Sequence, residues 1–248
     1  MKNRSPPVGL PLKVNAFDWE RGLSADMIIF NSGELVMSQH ATFSRRRVVQ
    51  GVTIAASFAL SVPALAAKMI VTPRQTTGPF YPRTLPLDSD NDLAQVQGRA
   101  ESALGEITHI FGRITDPDGR ALANSRVEIW QCDALGRYHH PRDGGGADPN
   151  FQGFGHTVTD NDGAYRFRTV KPVPYPGRAP HIHFGITGNG IERLTTQMYV
   201  KGHPLNTRDW LLNNVRDPRA RNSLIVSLRA APEVENGALA GNFDIVLG

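Results

Sequence analysis

Residues 155–170 read GHTVTDNDGAYRFRTV: two short runs rich in β-branched and aromatic residues on either side of the turn signal at 160–163. This pattern predicts two strands joined by a tight turn. Similar short runs occupy 107–115, 126–132, 180–187, 193–200, 223–229 and 242–247. Many short strands with regular turns are typical of an all-β sandwich. We therefore expect a β-sandwich core of short antiparallel strands with long loops, and only a weak helical stretch at 209–222.

The segments before these strands predict an arm and a leader. Residues 72–104 are rich in proline and polar residues and predict an extended N-terminal arm. Further upstream, Ser44-Arg45-Arg46-Arg47 precedes a modestly apolar stretch at 51–65 that ends in a small-x-small motif. These are the parts of an export signal, and the paired arginines are typical of the twin-arginine type.

We accordingly expect a removable leader at 1–67, a domain at 68–248, and a periplasmic or secreted location. A cytoplasmic location is the alternative. The other interpretation of the apolar stretch is a membrane anchor, but a spanning helix needs about 20 predominantly apolar residues. Translation from Met37 would shorten the unusually long extension before the signal.

The net charge of +4 lies mostly in the leader. Residues 1–67 hold seven Lys/Arg and four Asp/Glu, whereas the remainder holds 20 and 19, a balance of only +1. A net charge this small gives no reason to expect that the folded part binds nucleic acid. The single cysteine, Cys132, cannot form an internal disulfide, and its strand-like surroundings predict a small buried apolar role.

Two histidines in one strand-like run are the first indication of chemistry. His181 and His183 should project to the same face, because alternate residues of a strand share a face. Such a pair alone is weak evidence for a metal site. Tyr175 and Arg178 lie just upstream, in a loop that the prolines at positions 174, 176 and 180 make stiff. That loop can hold side chains in fixed geometry beside the histidines.

Tyr138 adds a second phenol. It lies in a polar, glycine-rich loop after the strand-like run that contains Trp130, and such loops commonly carry function. Zinc normally takes thiolate, imidazole or carboxylate ligands. Two phenolate oxygens are harder, anionic donors and favour a trivalent ion. A cation would also depress the phenol pKa, which is about 10 in free tyrosine. Two phenols and two imidazoles therefore favour Fe(III).

Nine short motifs follow one another along the chain, at 77–82, 128–131, 136–138, 148–151, 167–172, 174–176, 180–185, 196–199 and 243–247. In this order they resemble the intradiol ring-cleavage dioxygenases, and within that family the β chains of protocatechuate 3,4-dioxygenases. The resemblance covers the chain from about residue 72 to the C-terminus. It implies an Fe(III) enzyme that inserts both atoms of O2 into a catechol, protocatechuate-like, to give a cis,cis-muconate type diacid.

The resemblance also implies the metal ligands. By motif, Tyr138 and His181 are equatorial ligands, and Tyr175 and His183 are axial ligands. Tyr175 is in addition expected to leave the metal and accept substrate protons. Family enzymes of this type pair with a related α chain, so the implied assembly is a homo-oligomer or a hetero-oligomer with such a chain.

Further residues match positions around the metal. Arg178 is expected to stabilise negative charge on the ring and to contact the substrate, and Gln197 to orient the bound species. Tyr81 and Trp130 match substrate-pocket positions. The chain differs from the family's β chain at residues 177–179, where the link is shorter and Gly177 replaces an aromatic residue.

Two other functions remain open at this point. One is a zinc hydrolase built on the two histidines, and the other is an exported β-sandwich module whose aromatic residues bind sugar or protein. Among the remaining candidates, we interpret Tyr165 and Tyr199 as packing residues. We do not expect His139, His140 or His156 to be ligands.

Overall fold

The structure, a computed structural model, describes residues 68–188 and 190–248. The predicted leader at 1–67 lies outside these residues. Within them, no helix is both long and apolar enough to cross a membrane.

Ten strands and two short α-helices form the regular structure of the described residues. The strands are β1 (Ile107–Thr115), β2 (Arg126–Trp130), β3 (Phe154–Val158), β4 (Ala164–Val170), β5 (His181–Gly188), β6 (Ile191–Val200), β7 (Ile225–Val226), β8 (Arg229–Ala230), β9 (Leu239–Asn242) and β10 (Ile245–Val246). The helices are α1 (Trp210–Asn213) and α2 (Pro218–Ser223), and 3-10 helices cover Pro141–Asp143 and Pro204–Thr207.

The predicted sandwich is confirmed, with a difference in strand direction. One sheet has the order β10-β1-β9-β8, with β4 also paired to β1, and the other has the order β3-β2-β5-β6-β7. The pairings of β1 with β9, β1 with β10 and β6 with β7 are parallel, so the sheets are mixed rather than wholly antiparallel. A long connection that holds the two helices joins β6 to β7, and such a connection allows a parallel pairing.

Strand periodicity divides the second sheet into two faces. Ile129 of β2 and Ile182 and Phe184 of β5 point into the main core, where they pack with Ile110 and Phe167 of the first sheet. Each fully buried side chain of this size contributes roughly 1.5–3 kcal/mol. Because side chains alternate along a strand, the two histidines of β5 must point to the opposite, outer face.

The predicted N-terminal arm forms no strand of its own and lies along the sheets. Backbone N–H groups of Thr72 and Gln75 donate to the carbonyl oxygens of Val246 and Thr195, at 3.0 and 2.7 Å. Further along the arm, the Leu93 N–H donates to the Arg168 carbonyl oxygen at 2.8 Å. These contacts hold the arm in place, and its segment at 76–81 passes over the outer face of the second sheet.

Candidate metal centre

The four predicted ligands come together where β2 ends and β5 begins. His181 and His183 belong to β5, Tyr138 follows β2, and Tyr175 lies in the loop before β5. Ring centroids are 4.9 Å apart for His181 and His183, 5.4 Å for Tyr175 and His181, and 5.6 Å for the two tyrosines. Three separate segments therefore bring two phenols and two imidazoles into one cluster.

Both imidazoles are neutral in this environment. The His181 Nδ1–H donates to the Ala179 carbonyl oxygen at 2.6 Å, and because a carbonyl can only accept, the lone pair must lie on Nε2. Burial, reinforced by the charge of Arg178, lowers the pKa of His181 to about 4. Burial also holds the pKa of His183 well below its usual value, with His181 and Arg178 adding to the shift. Neutral imidazole is the form that binds metals.

The two phenols differ in exposure. Tyr138 is 3% exposed, and its hydroxyl has no hydrogen-bond partner. Burial raises the pKa of Tyr138 well above its usual value. Tyr175 is half-buried, and burial raises its pKa while the charge of Arg178 opposes the rise. An unsatisfied buried hydroxyl costs about 1–3 kcal/mol, and a cation coordinated by a phenolate would remove that cost.

The donor set fits a hard metal ion. In the described part of the chain, no group of three or more His, Cys, Asp or Glu side chains is arranged to hold a metal, so the oxygen donors beside these histidines are phenolic. Besides the Tyr138 hydroxyl, Nδ1 of His183 is also buried without a partner. Unpaired buried polar atoms of this kind commonly mark a missing ion or water.

A buried arginine stands beside the histidines. Arg178 Nε donates to Asp209 Oδ2 at 2.9 Å, and its Nη2 donates to Gln197 Oε1 at 2.6 Å and to the Tyr199 hydroxyl at 3.1 Å. Its Nη1 lies 3.5 Å from His181 Nε2. Although burial alone would lower it, the pKa of Arg178 is raised by Asp209, so the guanidinium stays charged against the cluster.

Sequence reasoning gave no role in the site to two partners of Arg178, Asp209 and Tyr199. Asp209 is fully buried and its pKa is lowered, because hydrogen bonds from Arg178 and the backbone outweigh the effect of burial. Only its place at the start of a helix-like stretch was a local signal, since 31 residues separate it from Arg178. Tyr199 is buried as predicted, and its hydroxyl also bonds to Arg178 and Gln197.

The strand register aligns three side chains in one row across the second sheet, next to the cluster. Trp130, His183 and Gln197 are direct neighbours across β2, β5 and β6. The Trp130 ring is fully buried and stacks on His183 at 4.9 Å with an interplanar angle of 7°. Tyr81 meets the Trp130 ring edge-on at 4.9 Å, and its hydroxyl donates to Glu128 at 3.0 Å. The Trp130 ring therefore holds the His183 ring in a fixed orientation.

The arm covers the cluster from the front. Phe80 stacks on Tyr138, with ring centroids 4.5 Å apart, and meets Tyr175 edge-on at 6.0 Å. Gly78 has φ +71°, and a Cβ on it would lie 3.3 Å from His183 Cε1, so a glycine allows the arm to approach this closely. Sequence reasoning gave Phe80 no role, although it lies in the motif at 77–82.

A cavity of about 420 Å³ borders the cluster at Tyr175. Its walls include Phe80, Leu135, Arg137 and Pro174. Volumes of this order suit a small ligand. Of the four predicted ligands, Tyr175 is the one that lines this cavity.

The remaining candidates make other contacts. His139 Nε2 contacts the Asp148 carbonyl oxygen at 2.9 Å, and His140 Nδ1 accepts the Arg142 N–H at 3.1 Å. Tyr165 is buried in the main core. Cys132 is buried, as predicted, and burial raises the pKa of its thiol to about 12.

Comparisons with known proteins agree with this architecture. A protein-family model described as "Dioxygenase" matches residues 76–248. The protocatechuate 3,4-dioxygenase β chain of Burkholderia cepacia is 40% identical over 169 residues, which cover 64% of this chain and 71% of that protein. Hydroxyquinol 1,2-dioxygenase of Corynebacterium glutamicum is 33% identical over 145 residues, 51% of this chain and 45% of that protein.

Solved structures show the same similarity. The dioxygenase domain of a dioxygenase–carbohydrate-binding protein fusion from a cellulolytic Streptomyces superposes with a TM-score of 0.56 at 31% identity, covering 72% of this chain and 98% of that chain. Catechol 1,2-dioxygenase from an Acinetobacter species superposes with a TM-score of 0.55 at 28% identity, covering 71% and 62%.

Proposed function

Because this chain belongs to the intradiol dioxygenase family, we propose that it cleaves a catechol ring between the two hydroxylated carbons, using Fe(III) and O2. Both oxygen atoms enter the product, a cis,cis-muconate type diacid. The observation that carries the proposal is the convergence of two phenols and two imidazoles in one buried cluster, with ring centroids 4.9–5.6 Å apart from one to the next.

Tyr138, Tyr175, His181 and His183 are the proposed ligands of the ion. The neutral imidazoles and the unpaired Tyr138 hydroxyl support this assignment. When bound, Fe(III) would supply Lewis-acid chemistry that favours loss of the catechol hydroxyl protons, and the deprotonated ring is electron-rich towards O2. Removing one imidazole should therefore remove the ion: His183→Ala should lose iron, and full iron occupancy in that variant would contradict the assignment.

The protein's own groups handle protons and charge. Tyr175 borders the cavity, and in its phenolate form it would accept a proton from a catechol hydroxyl. Arg178 is held rigidly by Asp209 and Gln197, and its guanidinium stabilises negative charge that develops on the ring. Gln197 in turn helps to orient the bound molecule.

We keep Tyr81 and Trp130 as proposed pocket residues through their support of the cluster, although neither lines the cavity at Tyr175. Tyr81 contributes from the arm, and Trp130 supports it from beneath while stacking on His183. The proposed substrate is protocatechuate or a similar catechol. The proposal receives its support from the 40% identity to a protocatechuate 3,4-dioxygenase β chain.

Export and assembly are part of the same proposal. The arginine-rich motif at 44–47 and the small-residue motif at 64–66 support export through a twin-arginine signal. N-terminal sequencing of the exported protein should find a start near residue 67, and a retained Met1 would refute export with cleavage. The assembly is a homo-oligomer or a pair with an α-type chain, which native mass measurement distinguishes.

Oxygen consumption tests the proposed reaction. The purified, iron-containing protein is given catechol, protocatechuate and hydroxyquinol under 18O2, and the products are analysed by mass spectrometry. We expect one labelled oxygen in each carboxyl group of a muconate-type product. Tyr175→Phe should retain iron but slow turnover severely, whereas Tyr165→Phe, a buried tyrosine outside the cluster, should not. Cleavage beside the hydroxylated carbons, or no oxygen uptake with any catechol, would refute the proposal.

A further inference from the structure

The cavity beside Tyr175 has apolar walls on one part and the charged residues Arg137 and Asp143 on the other. Phe80, Leu135, Pro174 and Pro176 supply carbon surface, and Leu135 is 62% exposed although it is a large hydrophobic residue. Such walls suit the faces of an aromatic ring. The polar groups on the remaining wall therefore decide which ring substituents the cavity accepts.

Arg137 supplies the positive charge in the lining of the cavity. It directly precedes Tyr138, and its exposed guanidinium forms no ion pair within residues 68–188 and 190–248. Its Nη1 makes a long contact of 3.4 Å to the carbonyl oxygen of Asp143. Asp143 lines the same cavity, and its carboxylate forms no ion pair with Arg137, since its Oδ2 accepts the Tyr138 N–H at 3.0 Å. The guanidinium thus keeps most of its donors free for a ligand.

Close contact between two loops places Arg137 at the mouth. A Cβ on Gly136 would lie 3.3 Å from the Pro174 carbonyl oxygen and 3.9 Å from Tyr175 Cβ, so the loop that carries Arg137 lies directly against the loop that carries Tyr175. On the other side, a Cβ on Gly177 would meet nothing within 4 Å. Gly177 directly follows Pro176 of the cavity wall, so this end of the wall carries no side chain that would narrow the mouth.

We propose that Arg137 forms a subsite for the carboxylate of an acidic catechol, so that this mouth selects ring substituents by charge. The inference rests on the proposed function, because the proposed reaction requires the catechol ring to lie beside Tyr175. A guanidinium presents paired donors that match the two oxygens of a carboxylate. A neutral catechol enters the same cavity but leaves this subsite empty.

Arg137→Gln tests the subsite with a matched control. In the wild type, kcat/KM for protocatechuate should exceed that for catechol, and Arg137→Gln should lower this ratio about tenfold, equal to about 1.4 kcal/mol. The loss should appear mainly in KM. Arg142→Gln, an exposed arginine nearby that does not line the cavity, should leave the ratio unchanged. Charge reversal in Arg137→Glu should shift preference from protocatechuate towards the cationic catechol dopamine.

Binding measured without turnover separates the two proposals. Oxygen-free calorimetric titration gives Kd for protocatechuate and for catechol in wild type and Arg137→Gln. Tighter binding of protocatechuate that is lost in the variant supports the subsite, even if neither compound is oxidised. If both compounds are oxidised but the ratio of kcat/KM and the ratio of Kd are unchanged in Arg137→Gln, the subsite is refuted and the proposed reaction stands.

Discussion

Asp209→Asn should destabilise the fold by about 3–5 kcal/mol, the usual cost of removing one partner from a buried ion pair. Asp209 Oδ2 accepts hydrogen bonds from Arg178 Nε and the Ala179 N–H, both at 2.9 Å. Its Oδ1 accepts the N–H groups of Leu211 and Leu212 at 3.1 Å. All of these partners are donors, whereas an asparagine amide has one acceptor oxygen and one NH2 donor. One side of the new amide must therefore face other donors, and Arg178 loses its counter-charge.

The expected change is large relative to the stability of a domain, which is typically about 5–15 kcal/mol. For a domain of this size, ~2–4 °C of melting temperature per kcal/mol gives a decrease of about 6–20 °C. Urea unfolding followed by circular dichroism, at matched iron content, measures the free energy directly. The midpoint should fall with an unchanged slope, because the change removes stability without altering the surface exposed on unfolding.

Asp217→Asn is the matched control. Asp217 is exposed, caps α2 and accepts the Arg219 N–H at 2.8 Å. Asparagine caps helices about as well as aspartate, so this change should cost less than about 0.5 kcal/mol. If Asp209→Asn unfolds at the same urea concentration as the control, the buried pair does not stabilise the fold in the way that its hydrogen bonds indicate.

Three further changes test other parts of the structure. Tyr138→Phe removes a buried hydroxyl that has no partner; in urea unfolding, the iron-free protein should gain about 1–3 kcal/mol, while iron retention falls. A loss of stability in the iron-free form would contradict this. Gly112→Ala would press a methyl group against the Phe243 carbonyl oxygen and should cost about 1–3 kcal/mol or more in thermal unfolding; an unchanged melting temperature would refute it. Hydrogen bonds from Arg168 lower the pKa of Glu235 from 4.5 to about 2. Between these values the unfolded chain binds more protons, so stability is lost as pH falls from 4.5 towards 2. The free energy of unfolding of Glu235→Gln should therefore fall less steeply with pH in this range than that of the wild type. An equally steep fall in the variant would argue against the lowered pKa of Glu235.

Local periodicity explains why much of the fold could be predicted. The bounds of β1 and β4 are those expected from the runs at 107–115 and 164–170, because alternation and turn residues are local signals. The prediction of a single strand at 223–229 was wrong. This segment begins at the end of α2 and holds β7 and the start of β8. Short apolar runs do not by themselves distinguish a helix end from a strand.

The site shows the same division between local and long-range information. The spacing of His181 and His183 indicated a shared face, and the register places His181 beside Tyr199 and His183 beside Gln197 in β6. Asp209 could not be found this way, because its burial and its charge partner depend on chain segments 30 residues apart. Phe80 likewise acquires its place over Tyr138 only when the arm folds across the second sheet.

Metal content and colour, measured on natively produced protein, test the central assignment most directly. Two phenolate ligands on Fe(III) should give a red-brown charge-transfer band and iron in near-equal amount to the chain, and Tyr138→Phe should weaken or shift that band. A colourless wild-type protein that contains zinc or no metal would contradict the proposed centre at Tyr138, Tyr175, His181 and His183.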